Sequence, residues 1–171
     1  MFDKLKRKSF KKKIDKNLVN RDMSQRNTTL KTLGYLINED LFQDFELLYQ
    51  FSSDLGLQRK DVKIYTFKEV KKKIPTLRQN QINNKHFSWN GEILNQNAIE
   101  FLDFPFDVLI GYYFEKNEFL DIMMSRSKAK FKVGFSSSDK RLLDLIINVD
   151  PLNFERFKKE LKKYLSVLKK I

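Results

Sequence analysis

Phe106-Asp107-Val108-Leu109-Ile110-Gly111-Tyr112-Tyr113-Phe114 is the stretch that decides the fold. A strand with one wet face alternates polar and apolar residues. A strand covered on both faces reads as a nearly continuous apolar run, as this one does. The run predicts a central strand in a mainly parallel sheet with helices on both sides.

The flanks agree. Residues 32–37 form a second apolar run, followed by the polar step Asn38-Glu39-Asp40. Leu41, Phe45, Leu48, Ser52 and Leu55 recur at helical spacing, and Gly56 supplies a stop. Residues 62–67 predict the next strand, and 68–74 a short helix ended by Pro75. The Asn- and Gln-rich stretch 76–97 holds one short strand at 86–89 before the Asn90-Gly91 turn, and 93–102 a short helix. Beyond the central run, 117–127 predicts a helix, 129–135 a strand and 142–149 an edge strand. A closing helix opens after Asp150-Pro151. Its Phe154, Phe157, Leu161, Tyr164, Leu165 and Leu168 share one third of the helical wheel.

Strands alternating with helices imply right-handed crossovers. The expected architecture is α/β: a single three-layer domain with a mainly parallel five- to six-stranded sheet over residues 30–171. Residues 1–29 precede it as a basic helix or arm with a polar linker. The apolar stripe of that helix is weak, with Phe10, Ile14 and Leu18 on one side, so the helix is expected to dock by its last turns, with a mobile beginning, and residues 1–20 to be dispensable to the fold.

Charge sharpens the division. The 171 residues carry 34 Lys+Arg against 22 Asp+Glu, net +12. Residues 1–26 are net +7, residues 155–171 net +5, and 27–154 are balanced. With 41% apolar residues and 16 Phe, a sizeable core is available, which excludes disorder of the whole chain. The absence of cysteine excludes disulfides, thiol catalysis and Cys-based metal sites. The basic start lacks the apolar stretch of about 7–15 residues that a secretory signal needs. A soluble, cytoplasmic protein is expected, and the Lys-, Asn-, Ile- and Phe-rich composition suits an AT-rich bacterial source.

Candidate chemistry is sparse. If the first strand is central, the strand at 106–114 lies beside it, and ligands of such sheets sit outside the strand ends at that crevice. Asn38, Glu39, Asp40, Glu115 and Asn117, with Lys116, are placed there. This acidic set does not suit a phosphate. The five glycines are isolated, so neither nucleotide-binding glycine pattern occurs. His86, the only histidine, reads as a structural strand residue rather than a general base. Ser136-Ser137-Ser138 reads as a loop or cap rather than an anion cradle. Glu39-Asp40 reads as helix-start acids, with the pair Asp103 and Asp107 weighed as carboxylates for metal or acid–base work. Tyr112-Tyr113-Phe114 reads as core rather than a base-stacking platform. No catalytic residue, metal site or cofactor is assigned.

Two resemblances accompany these residues. Phe106-Asp107-Val108-Leu109-Ile110 with the segment 127–135 (S-K-A-K-F-K-V-G-F) resembles the strand–helix–strand stretch in the N-terminal lobe of heptosyltransferase-type glycosyltransferases. It implies a fold and carries no catalytic residue across, because those enzymes need a second lobe. The whole chain is similar to a family of small basic bacterial proteins defined only as a domain of unknown function. The likeness lies in the basic start, the F-D-V-L-I strand, S-K-A-K-F-K-V-G and a closing helix after I-N-V-D-P.

The expected function is non-catalytic attachment to RNA or the ribosome through the basic termini. Lys4, Lys6, Arg7, Lys8, Lys11, Lys12, Lys13 and Lys16 would act at one end, and Lys158, Lys159, Lys162 and Lys163 at the other. One alternative is a peripheral protein held on the anionic inner membrane by the basic start. Another is a ligand-binding or enzymatic single-lobe glycosyltransferase-like domain, and a protein partner fits the same basic surfaces.

Overall fold

The structure, a computed structural model, describes residues 3–72 and 78–171. In chain order it contains α1 (Lys4–Val19), β1 (Leu33–Asn38), α2 (Phe45–Asp54), β2 (Val62–Lys68), β3 (Gln81–Asn83), α3 (Gln96–Asp103), β4 (Val108–Tyr112), α4 (Glu118–Arg126), β5 (Lys132–Phe135), β6 (Leu145–Ile147) and α5 (Phe154–Val167). The strands form one sheet in the order β3-β2-β1-β4-β5-β6, and every pairing is parallel. This is the doubly wound order, with its switch point between β1 and β4.

β4 is buried along its whole length. Val108, Ile110 and Tyr112 point toward α2 and α5, where they meet Leu33, Tyr35, Ile37, Phe51, Phe157 and Leu161. Leu109 and Tyr113 point the other way, into a cluster with Phe10, Phe101, Leu120 and Met124 from α1, α3 and α4. The strand's double burial is the reason its sequence does not alternate. Gly34 of β1 admits the Phe106 ring: an added Cβ would lie 2.9 Å from two of its carbons.

Four expectations change. β3 lies at 81–83, and the expected strand at 86–89 is instead a 3-10 turn (Asn84–His86) with a single antiparallel bridge from Phe87 to Ile93. Lys68 closes β2 and residues 69–72 are not helical; the remainder of that expected helix, with Pro75, lies outside the described residues. α2 starts at Phe45 rather than Leu41, capped by the Asp44 side chain.

The fourth change concerns the N-terminal segment. α1 is not a loosely attached arm but one helix of the outer layer. Its side chain Phe10 is fully buried and Ile14 nearly so. α1 runs parallel to α4: Arg7 Nε meets Glu118 Oε1 at 3.1 Å near one end, and Asn17 donates to Ser125 Oγ at 3.0 Å near the other. The following stretch is tied down as well. Arg21 and Arg26 both reach Asp144, Thr28 donates to Asp107, and Lys170 Nζ donates to the Arg26 and Thr28 carbonyls at 2.6 and 3.1 Å.

Candidate nucleic-acid interface

Docking fixes which lysines of α1 face outward. Phe10 and Ile14 define the buried direction. At 100° per residue, Lys4, Lys8, Lys12 and Lys16 fall on the opposite side, each one turn beyond the last. Successive members are about 6 Å apart along the axis, so the row spans about 18 Å. All four are exposed, and none has an ion pair among the described residues. Exposed Leu5 and Val19 lie on the same side.

The other basic residues of α1 are turned to structural use. Arg7 pairs with Glu118 and Lys13 Nζ with Glu92 at 2.5 Å. Lys11 stands 4.0 Å from Asp15. Lys6 lies over the rings of Phe10 and Phe119, 5.7 and 5.6 Å from their centroids. On α5, Lys158 pairs with Glu155 and Lys163 with Glu160, while Lys159 and Lys162 are exposed without an ion pair among the described residues. α5 covers the sheet face opposite α1. The two basic surfaces therefore do not form one patch.

The crevice at the switch point is real but differs in membership. A cavity of about 380 Å³ lies beyond β1 and β4, with Asn38, Asp40 and Glu115 in its wall. Glu39 turns away to Arg78 and Gln81. Asn117 caps α4 by accepting from the Phe119 and Leu120 amides. Leu41, Phe114, Asp150, Pro151 and Leu152 complete the wall and were missed. A signal for Asp150 existed: it follows β6 closely, and in a parallel sheet all strands end on the same side. Asp40 is partly neutralised by Lys68 at 3.3 Å.

The remaining candidates are structural. His86 Nδ1 accepts from the Asn83 amide at 3.3 Å. Ser137 donates to the Phe114 carbonyl, and Ser136 reaches Asn148. Asp103 holds Arg126 and Lys128. Asp107 accepts from the amides of Lys31 and Thr32 and from Lys130. Burial opposes its charge, but these hydrogen bonds outweigh it and hold its pKa below the ordinary carboxylate value. Tyr112 and Tyr113 are buried, whereas Phe114 is 40% exposed at the cavity mouth. No group of three or more His, Cys, Asp or Glu able to hold a metal occurs among the described residues. No described helix is long and apolar enough to cross a membrane.

Neither the curated proteins nor the solved structures include one that matches this chain. A family model does match, over residues 6–168, from α1 to the last turns of α5. The matched span takes in the outer-layer helix α1 as well as every strand of the sheet, so the chain belongs to the family of unknown function DUF6913.

Proposed function

We propose that the protein binds RNA, as a non-catalytic module, through the outward lysine row of α1. The observation that carries this reading is the row itself: four exposed ammonium groups, without an ion pair among the described residues, one turn apart on a helix held by Phe10 and Ile14. Phosphates neutralised by such a row release counterions, which makes binding salt-dependent and largely sequence-independent. α5 adds Lys159 and Lys162 only for a partner that wraps around the molecule, as ribosomal RNA would.

The test is fluorescence anisotropy with a single-stranded RNA at several salt concentrations. Four phosphate contacts give a slope of log K on log salt near −3. The quadruple variant K4Q/K8Q/K12Q/K16Q is expected to lose most of the affinity and most of the slope. Unchanged binding by that variant overturns the reading. Flotation with anionic liposomes, abolished by the same variant, would support membrane attachment instead.

A second reading rests on the cavity of about 380 Å³ at the switch point, the position where doubly wound sheets hold ligands. Its wall carries Asp40, Glu115 and Asp150 beside Leu41 and Phe114, which suits a cationic ligand with an apolar part.

A further inference from the structure

At the opposite end of the sheet, where α1 and α4 both end, lies a cavity of about 430 Å³. Arg21, Arg126, Lys128 and Lys130 line it, with Asp22 and the amide of Asn17. We propose that this cavity is an oxyanion site that takes a phosphate group.

The wall itself carries four cationic side chains against one acid. Asp103 is shared by Arg126 at 2.7 Å and Lys128 at 3.4 Å. Asp144 is shared by Arg21 and Arg26. Lys130 has Asp107, but that carboxylate already accepts from two backbone amides and two threonine hydroxyls. Counting Arg26 behind the wall, five cations thus stand on three carboxylates that do not line the cavity, and Asp22 is the acid that does. The C-terminal carbonyls of α1 and α4 offset this by about half a charge each. That brings the wider surroundings close to neutral, so the donors that line the cavity carry the argument.

Hydrogen bonding points the same way. The Arg21 side chain is only 6% exposed, and its Nε is buried without a hydrogen-bond partner. Buried donors of this kind are rare, and a bound ion or water is their usual explanation. Guanidinium and ammonium donors from separate elements, converging on one cavity, match the several acceptor oxygens of a phosphate. This inference does not rest on the lysine row of α1.

The phosphate can come from a small molecule or from an RNA end, and the test separates them. Thermal unfolding is followed in inorganic phosphate and in chloride at equal ionic strength. Phosphate is expected to raise the midpoint beyond chloride, with the dose dependence of a single site. The variant R126Q/K128A is expected to bind phosphate about tenfold more weakly, and K4Q/K8Q/K12Q/K16Q to bind it as the unmodified protein does. If the double variant fails to fold, Lys128→Ala alone serves, because Lys128 has a 62% exposed side chain. A 5′-phosphorylated oligouridylate is then compared with its 5′-hydroxyl counterpart. A preference for the phosphorylated form that R126Q/K128A abolishes, or Lys128→Ala in its place, supports an RNA end as source. Stabilisation by inorganic phosphate without that preference supports a small phosphorylated molecule. Equal effects of phosphate and chloride, or an undiminished response in the cavity variant, overturn the proposal.

Discussion

Phe10 of α1 meets Phe119 of α4 edge to face, with ring centroids 5.5 Å apart and planes at 85°. This contact makes α1 part of the core. Phe10→Ala is expected to lower stability by about 3–5 kcal/mol, the usual range for truncating a buried Phe. Deleting residues 1–20 should do more, because it uncovers Phe87, Phe119 and Ile122 together. Chemical denaturation of both variants checks this. A truncated chain as stable as the full one would contradict the packing described.

Asp121 carries a pH signature. It is buried on α4, and desolvation raises its pKa to about 6, although Tyr113 donates to it at 2.7 Å. Below the unfolded value near 3.8 the carboxyl is neutral in both states. As pH rises from about 4 to 6 the unfolded chain ionises first, so stability falls across that window. The loss from this group is expected to be about 2–3 kcal/mol. Asp121→Asn keeps an acceptor for Tyr113 and should remove that fall, which urea titrations at pH 4 and pH 8 would measure.

Lys132 gives the opposite slope. Its ammonium is buried, and desolvation, helped by repulsion from Arg21, lowers its pKa to about 7. Between that value and the unfolded 10.5 the unfolded chain holds the extra proton, so stability rises with pH. Lys132→Met should flatten the rise between pH 7 and pH 10. Melting temperatures of both proteins at pH 7.5 and 9.5 test the difference.

Two glycines separate packing from backbone strain. Gly34→Ala drives a methyl into Phe106 and is expected to cost about 1–3 kcal/mol by overpacking. Gly56, which ends α2 with φ +87°, has nothing within 4 Å of an added Cβ. Gly56→Ala should cost only the left-handed backbone penalty, about 1–2 kcal/mol. A triple substitution adding a Phe106→Leu repacking partner to both should relieve only the first cost.

The central strand was legible because burial on both faces leaves an unbroken apolar run, and α5 because five of its six stripe residues, Phe154 to Leu165, face the sheet. β3 was hidden because its three residues hold a single apolar side chain, Ile82, on a strand at the sheet edge. Nearby, Phe87 is buried and Trp89 exposed, a local alternation that mimics a strand. α1 misled for a related reason. Only Phe10 and Ile14 are buried on it and Leu18 is partly buried beside them, so the stripe that docks it is three residues long while lysines fill much of the rest. At the switch point, strand order placed Asn38, Asp40 and Glu115 together. It could not foresee that Glu39 is captured by Arg78, nor that the β6 loop reaches the same mouth through the Tyr112 hydroxyl and the Pro151 carbonyl.

The position of α1 also bears on the nascent chain. In chain order the helix precedes Phe87, Phe119 and Ile122, which seat it, by some 80 to 110 residues. Until they arrive, Phe10 and Ile14 stay wet beside a row of positive charges. Closing so long a loop is slow and leaves partly formed species prone to aggregate, so α1 is expected to be the last helix to gain protection from hydrogen exchange on refolding.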